Sequence, residues 1–274
     1  MVKPTQQKIN DIENEGRKIR FDLFSKLCDV QEGHPGSILS IFDIVNALYL
    51  GNTLRIEKHN NLNDVFIMSK GHAAAVQYPY LVRKGIIETS DWVNWGLGHS
   101  NLRVFANNHI PGIDVTSGSL GHGLGIAAGM ALAHRMDKVA PNIFVVISEG
   151  ELYEGSTWEA LLFLAHHELA KIKIIIDVNQ NMTLGRPEEH IRLESIDEKL
   201  AAFRLQTKRI DGHDYQQIFD GLNFLTEAQH QPRVLIADTI KGKGVSFMEG
   251  TKESHYWVGL SQDKIDQMLK DLAV

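Results

Sequence analysis

Two short polar segments carry the residue types that bind metal ions and phosphate. Glu149 and Gly150 directly follow one apolar run, and Asn179 follows the next apolar run along the chain. A carboxylate oxygen, an amide oxygen and a backbone carbonyl are hard ligands that suit Mg²⁺ or Ca²⁺, and Mg²⁺ leaves its remaining positions to phosphate and water. Gly150 would let a diphosphate approach the backbone closely. The alternative interpretation is that Glu149 caps a turn and Asn179 simply ends a strand.

Both segments follow runs whose composition is typical of buried strands. Short β-branched runs bounded by polar or turn residues predict strands at 65–68, 143–147, 172–176, 205–210 and 234–240. Helical patterns lie between them, the clearest at 157–169. Its apolar residues fall at helical spacing on one predicted face: Trp158, Leu161, Leu162, Ala165 and Leu169.

The alternation of strands and helices predicts an α/β fold. Crossover units of this length imply a mostly parallel sheet with helices on both faces. We expect a single domain over residues 1–274 with a helical N-terminal lead. In such folds ligands bind at the carboxyl ends of the strands, which is where Glu149 and Asn179 lie.

Composition excludes several classes of protein. The chain has 274 residues, of which 43% are hydrophobic and 23% charged, as expected for a globular protein with a sizeable core. The single cysteine, Cys28, excludes an internal disulfide framework, so we expect a cytoplasmic protein. A net charge of −6 with scattered basic residues argues against nucleic acid as a partner. The apolar runs are too short to span a membrane.

The segment from Glu149 to Asn179 is similar to a known fingerprint. In the thiamine diphosphate fingerprint an acidic residue lies between glycines, and about 30 residues later a strand ends in an asparagine. Here Glu149 lies between Ser148 and Gly150, and Asn179 follows the next predicted strand. The continuation Glu-Gly-x-x-Trp-Glu-Ala at 154–160 resembles the transketolase family, specifically its N-terminal, diphosphate-binding half. Further segments agree in chain order: Gly-His-Pro-Gly at 33–36, Ser-Lys-Gly-His-Ala at 69–73, Gly-His at 98–99, Pro-Gly at 111–112, Ser-Gly-Ser-Leu-Gly-His-Gly at 117–123, Asp-Gly-His-Asp at 211–214 and Lys-Gly-Lys-Gly-Val at 241–245.

This resemblance implies a role for each matching residue. The metal ligands would be the side chains of Glu149 and Asn179 and the backbone carbonyl of Asn181. The cofactor contacts would come from Gly150 and Glu151 at the diphosphate, from Asn179 and His72, and from the loop that contains Gly118, Ser119 and Leu120. The active-site histidines would be His34, His72 and His99, which contact substrate hydroxyls or cofactor phosphate and help to move protons. Glu154 would reach across a dimer interface towards the partner's cofactor-activating glutamate.

The chain departs from the family pattern at three points. Glu149 stands where the family has aspartate, and the added methylene changes the metal geometry. Val258 stands where the family has a substrate-contacting histidine, and His255 is the candidate substitute. The ring-activating glutamate and the basic residues that hold a sugar phosphate belong to the family's second domain, which we do not find before Val274.

These observations predict the diphosphate-binding subunit of a split transketolase. It would use thiamine diphosphate and Mg²⁺, with Ca²⁺ as an alternative, and pair with a separate pyrimidine-binding subunit as a heterotetramer. It would transfer a two-carbon ketol unit between sugars or sugar phosphates. One alternative is a thiamine enzyme subunit from a biosynthetic pathway that acts on a modified sugar or an oxo acid. Another is a non-catalytic relative with a binding or regulatory role.

Overall fold

A parallel five-stranded sheet forms the centre of the computed structural model. The structure describes residues 4–58, 60, 63–182, 185–193, 195–228, 230–251, 255–257 and 260–273. The strands lie in the order β1-β2-β3-β5-β4. Their bounds are Val65–Met68 (β1), Ile143–Ser148 (β2), Ile172–Val178 (β3), Gln206–Asp211 (β4) and Arg233–Asp238 (β5). All five predicted strands are therefore confirmed, with ends that shift by at most a few residues.

Helices cover both faces of this sheet, as the α/β prediction requires. Nine α-helices are found in the described part of the chain: α1 (Gln6–Val30), α2 (Pro35–Leu50), α3 (Tyr78–Arg83), α4 (Thr89–Val93), α5 (Gly123–Met136), α6 (Gly155–His166), α7 (Ile196–Ala202), α8 (Tyr215–Thr226) and α9 (Gln262–Leu272). Short 3₁₀ helices span Gly71–Gln77, Glu149–Tyr153 and Pro187–Glu189. Among the described helices, none is both long enough and apolar enough to cross a bilayer.

The side chains of the strands divide the interior into two apolar clusters. On β2, Phe144 and Val146 pack on the face that carries α1, α2 and α8, while Val145 and Ile147 pack on the face that carries α5 and α6. Successive side chains of a strand point to opposite faces, so an uninterrupted apolar strand is buried on both sides. This explains why β2 and β3 could be recognised from their composition.

Helix α2 runs through the larger cluster and sets the position of His34 at its N-terminus. It begins with Pro35 and stays buried from there to Tyr49. Its buried polar residue Asn46 donates to the carbonyl of Ile12 at 3.0 Å and accepts from the hydroxyl of Tyr80 at 3.0 Å. Because its polar groups are satisfied, the helix can be buried without an unpaired amide.

Helix α6 confirms the prediction of a helix but corrects its buried face. The helix spans Gly155–His166 and buries Thr157, Ala160, Leu161 and Leu164, whereas Leu162 is 61% exposed. Four consecutive large apolar residues at 161–164 surround the helix, so their spacing alone does not select a face. The prediction that Leu162 is a core residue is wrong.

Candidate active site

A cavity of about 320 Å³ opens at the carboxyl ends of the strands. The segments that follow β1, β2, β3 and β5 converge on it, as expected for a parallel sheet. Six residues predicted for the site lie in its wall: His72, Leu120, Glu149, Gly150, Asn179 and Asn181. The remaining wall residues are Ser37, Lys70, Ser148, Met182, Lys241 and His255.

The carboxylate of Glu149 is fixed between the two central strands. Ser148 pairs in register with Asp177, so the polar segments after β2 and β3 begin side by side. Glu149 accepts a hydrogen bond of 2.9 Å from the backbone N–H of Gln180. Burial raises the pKa of Glu149 above its ordinary value, although the Gln180 N–H acts in the opposite direction. The carboxylate of Glu149 thus links the segment after β2 to the segment after β3, and it already accepts one hydrogen bond.

The donor set around Glu149 suits a hard divalent cation. Within the described residues, no group of three His, Cys, Asp or Glu side chains could hold a metal, so a site here needs amide and carbonyl oxygens. Asn179 Oδ1 accepts from the backbone N–H of Asn181 at 3.2 Å, and the Asn181 carbonyl accepts from Lys241 Nζ at 3.0 Å. Carboxylate, amide and carbonyl oxygens each have more than one acceptor site, so one remains for a metal ion.

A buried ion pair lies beneath this donor set. The ammonium of Lys70 contacts the carboxylate of Asp177, and both side chains are almost fully buried. Asp177 also accepts from the hydroxyls of Thr239 and Ser40. Burial alone raises the pKa of Asp177, but the Lys70 charge and these hydrogen bonds outweigh it and lower the pKa. The amide of Asn179 donates to Asp177 at 3.4 Å, so the pair helps to set the orientation of a proposed metal ligand.

Lys241 is a second buried cation, and it lines the cavity. Its Nζ lies 2.8 Å from Nδ1 of His255 and forms no ion pair with a carboxylate in the described part of the chain. Burial, followed by the charge of Lys70, lowers the pKa of Lys241 to about 8. An ammonium in this position suits an anion in the cavity.

The segment that leads to Lys241 is held by His213. Nδ1 of His213 lies 2.8 Å from the Asp43 carboxylate, and Nε2 accepts from the backbone N–H of Ile240 at 2.9 Å. The ring therefore carries its proton on Nδ1 and donates it to Asp43. This arrangement ties the exit of β5 to helix α2, next to the cavity.

Three imidazoles meet at the side of the cavity. The ring of His34 lies 5.0 Å from that of His72 and 5.4 Å from that of His255. Burial, then the charges of Lys241 and Lys70, lowers the pKa of His34 to about 4. Burial is also the largest cause that lowers the pKa of His72 well below its usual value and that of His255 to about 4. All three rings are neutral at pH 7, so each can donate and accept one hydrogen bond.

Comparison with known proteins now places the chain in a family. Residues 10–274 match the family described as "Transketolase, thiamine diphosphate binding domain". The chain belongs to the transketolase family. It is 34% identical over 254 residues to the 6-deoxy-6-sulfo-D-fructose transketolase subunit of a Clostridium species, covering 89% of this chain and 90% of the relative. It is also 33% identical to mouse transketolase-like protein 2, covering 97% of this chain but only 42% of that relative.

A solved structure supports the same family fold. The transketolase from Campylobacter jejuni superimposes with a TM-score of 0.86 at 25% identity, over 98% of this chain and 43% of that chain. The chain thus spans less than half of the longer transketolases and nearly all of the relative described as a subunit.

The structure does not bring His99 into this transketolase-family site. His99 is exposed and lines neither the cavity nor the groove beside the histidines. Phe105 instead stands beside His34, with its ring edge-on at 5.5 Å. Residues 103–107 line the groove beside the histidines, and Tyr78 donates to the carbonyl of Arg103 at 2.6 Å.

Glu151 and Glu154 also lie outside the cavity wall. Glu151 is fully buried and accepts from the backbone N–H groups of Ser148 and Gly121 at 2.9 and 3.0 Å and from the Ser69 hydroxyl. Its carboxylate therefore holds the loop that contains Leu120 rather than facing a ligand. Glu154 is exposed at the start of α6, so its predicted contact with a partner subunit stays a prediction.

The loop at 118–121 contributes residues both to the cavity and to the groove beside it. Leu120 lines the cavity, Gly118 lines the adjacent groove, and Ser119 is exposed and lines neither. Gly121 has φ +82°, and a Cβ there would lie 2.7 Å from the Cβ of Glu154. A residue with a side chain would be strained at this φ angle and would clash with Glu154. Gly121 therefore permits the close approach of this loop to the start of α6.

Sequence reasoning did not single out Lys70 and Lys241, which are buried and line the cavity. Both belong to quoted family motifs, and each follows the carboxyl end of a strand by a few residues, which was the available signal. Their burial beside the cavity is what distinguishes them from other lysines, and the sequence does not show it. The prediction that His255 substitutes near the site agrees with its position in the cavity wall. Val258 lies outside the described residues.

Proposed function

We propose that this chain is the diphosphate-binding subunit of a two-component, thiamine diphosphate-dependent transketolase. Residues 1–274 would form its diphosphate-binding domain. It would transfer a two-carbon ketol unit between sugars or sugar phosphates, together with a separate pyrimidine-binding subunit in a heterotetramer. The observation that carries the proposal is the convergence of Glu149, Asn179, Asn181, His72 and His255 on one cavity, with the ring of His34 packed beside the two histidines.

The residues of the cavity divide into two functional groups. Glu149, Asn179 and the Asn181 carbonyl would hold Mg²⁺, or Ca²⁺ in its place, and Lys241 and Gly150 would bind the diphosphate. The bound cofactor supplies the carbon nucleophile and the electron sink for ketol transfer. His72 and His255 can exchange hydrogen bonds and protons with substrate hydroxyls, since a neutral imidazole has both a donor and an acceptor nitrogen.

The N-terminus of α6 lies outside the wall of the cavity proposed to bind the diphosphate. The cavity wall contains Glu149 and Gly150 of the preceding 3₁₀ helix but no residue of α6. The backbone N–H groups available to an anion therefore come from the tight turn directly after β2.

The subunit arrangement is supported by the relative that this chain covers almost end to end. That relative is described as one subunit of a transketolase for 6-deoxy-6-sulfo-D-fructose. Its description also favours a modified sugar as the substrate here, in agreement with the change from aspartate to Glu149. The cytoplasmic location predicted from the single cysteine stays a prediction.

Reconstitution tests this proposal. The chain and the candidate partner encoded by a neighbouring gene are purified separately and together, and ketol transfer is measured with thiamine diphosphate and Mg²⁺. We expect activity only in the mixture, and a complex of two copies of each chain by light scattering. Ketol transfer by this chain alone would overturn the two-component arrangement.

Calorimetry separates the catalytic proposal from the non-catalytic alternative. Titration of the mixture with thiamine diphosphate in the presence of Mg²⁺ should release heat and raise the melting temperature, because a ligand that binds only the folded state stabilises it. Neither signal would appear for a relative that kept the fold without the cofactor.

A further inference from the structure

One backbone donor after β5 pairs with a side chain instead of a strand. The last residue of β5 is Asp238, whose carbonyl accepts from the backbone N–H of Gly212 at 2.7 Å, just beyond the end of β4. Two residues later, the N–H of Ile240 donates to Nε2 of His213 at 2.9 Å. In a strand, alternate residues direct their N–H and C=O groups to the same side, so His213 continues the pairing of β5 after β4 has ended.

A tight turn after β4 brings the ring of His213 to this position. A Cβ at Gly212 would lie 2.5 Å from Cγ2 of Thr239, so glycine lets the turn lie close to the end of β5. The backbone N–H of His213 donates to the Asp211 carboxylate at 2.9 Å, and Asp214 caps the N-terminus of α8. The local sequence Asp-Gly-His-Asp therefore directs the imidazole towards the segment after β5.

Asp43 fixes the same ring from the other side. Nδ1 of His213 lies 2.8 Å from the Asp43 carboxylate, and the two side chains are 10% and 12% exposed. The other oxygen of this carboxylate accepts from the hydroxyl of Tyr215 at 3.2 Å. Because Nε2 accepts from the N–H of Ile240, the ring is neutral, with its proton on Nδ1 facing the carboxylate. A ring with both nitrogens in hydrogen bonds is suited to hold a segment in place rather than to transfer protons.

The residue that follows Ile240 is the buried lysine of the cavity wall. Lys241 is 2% exposed, and its Nζ donates to the Asn181 carbonyl at 3.0 Å and lies 2.8 Å from Nδ1 of His255. A strongly hydrated ammonium on a flexible four-carbon stem gains free energy when it reaches water. Its place inside the wall therefore depends on a backbone that does not move.

Two anchors on α2 fix the backbone on either side of this lysine. The N–H of Gly242 donates to the carbonyl of Gly36 at 3.1 Å, in the first turn of α2. The N–H of Ile240 is held by His213, which is held in turn by Asp43 on the same helix. His213 itself lines neither the cavity nor the groove beside the histidines, so it can affect a bound molecule only through the segment that it holds.

We propose that His213, oriented by Asp43, is a positioning residue that keeps the ammonium of Lys241 in the cavity wall, in place for the diphosphate. The identity of the anion rests on the proposed function, whereas the position of the ammonium is a property of the chain without any ligand. A cation that is already in place lowers the entropic cost of anion binding.

Amine labelling of the full chain without ligand tests the position of the lysine. The chain is treated with an acetylating reagent at constant pH, and peptide mass spectrometry follows each lysine. We expect slow labelling of Lys241 in the wild type. His213→Phe keeps a ring but removes the acceptor for Ile240, and it should raise the labelling rate of Lys241 about tenfold, because loss of a hydrogen bond favours local opening. Lys173 is 4% exposed and lies on β3, so its unchanged rate is the internal reference.

Three further variants separate loss of this hydrogen bond from loss of the fold. His213→Gln offers an amide oxygen to the N–H of Ile240 and should label almost as slowly as wild type. The double variant His213→Phe/Asp43→Leu leaves no carboxylate buried without its imidazole, so it keeps the comparison possible if His213→Phe alone does not fold. Its Lys241 should label about tenfold faster than that of wild type. His109→Phe is the matched control, because His109 is exposed, and circular dichroism checks each fold.

Affinity for a diphosphate shows whether His213 acts through Lys241. Titration calorimetry of the reconstituted two-subunit complex uses two probes in excess Mg²⁺, thiamine diphosphate and inorganic pyrophosphate. His213→Phe should weaken the binding of both about tenfold, as expected when a charge-assisted hydrogen bond is lost. In a Lys241→Met background the same substitution should cause no further loss, because effects that pass through one contact are not additive. A residue with a merely structural role would weaken binding by the same factor in both backgrounds.

Three results would overturn the proposal. They are fast labelling of Lys241 in the wild type, an unchanged labelling rate in His213→Phe and in the double variant, and equal losses of affinity in the two backgrounds. A wild-type complex that binds neither probe would contradict the proposed function instead. In that case the labelling rates still decide whether His213 positions Lys241.

Discussion

The backbone N–H of Gln180 donates a hydrogen bond of 2.9 Å to the carboxylate of Glu149 and thereby joins the segment after β3 to the segment after β2. Gln180 takes a left-handed conformation, with φ +55°, which turns the chain so that Asn179 and Asn181 both border the cavity. The oxygens proposed to bind the metal are therefore ordered within the folded chain. Order of this kind lowers the entropic cost of binding.

Removal of a proposed metal ligand should weaken cofactor binding but preserve the fold. In Glu149→Ala and Asn179→Ala we expect the affinity for thiamine diphosphate in excess Mg²⁺ to fall by about 10- to 100-fold, the range associated with disturbed metal sites. Isothermal titration calorimetry measures this, and circular dichroism checks the fold. Glu13→Ala, at an exposed position on α1, is the control. Unchanged affinity in both ligand variants would contradict the metal assignment.

Breaking the buried ion pair should cost more stability than removing both charges. Lys70→Met leaves the Asp177 carboxylate buried without its cation and should lower the free energy of unfolding by about 3–5 kcal/mol. The double variant Lys70→Met/Asp177→Asn should recover most of this loss, since the amide can still pair with Thr239 and Ser40. Urea denaturation measures all three proteins.

The control for that comparison is an exposed pair. Lys58→Met removes an ion pair with Glu88 whose side chains are 45% and 70% exposed, and it should change stability by less than about 1 kcal/mol. Equal losses in the single and double variants of the buried pair would show that charge burial is not the cause.

Two adjacent leucines on α6 should respond differently to truncation. Leu161 is fully buried, so Leu161→Ala should lower the free energy of unfolding by about 2–5 kcal/mol. Leu162 is 61% exposed, so Leu162→Ala should change it by less than about 0.5 kcal/mol. Chemical denaturation of this chain alone makes the comparison. The reverse order would mean that the helix is rotated from the position described.

The histidine cluster should make the fold sensitive to acid. The folded-state pKa values of His34 and His255 are about 4, below the ordinary value of 6.5. Between these values the unfolded chain binds more protons than the folded chain, so stability falls as pH decreases from about 6.5 to about 4. Thermal melts across this range should show the fall, and His34→Asn should flatten it. An equally steep profile in the variant would assign the acid sensitivity to other groups.

The sequence was sufficient where local composition decides structure. β2 and β3 could be predicted because their β-branched runs are buried on both faces, and the polar residues that follow them had to meet at one edge of a parallel sheet. It was insufficient where the buried face of a helix or the path of a loop had to be chosen. Leu162 was wrongly placed in the core because apolar residues surround α6. The path of the loop after His99 brings Phe105, rather than His99, beside His34, and the predicted role of His99 stays a prediction.

The residue types and their spacing determined the strands, the α/β class and the polar segments at Glu149 and Asn179. Only the tertiary structure decided that β5 lies between β3 and β4, which brings Lys241 to the Asn181 carbonyl. Local sequence sets the conformation of each segment through sterics and burial preference. The neighbours of a segment from elsewhere in the chain depend on the packing of the whole core, and so does the pKa of Lys241, because burial lowers it.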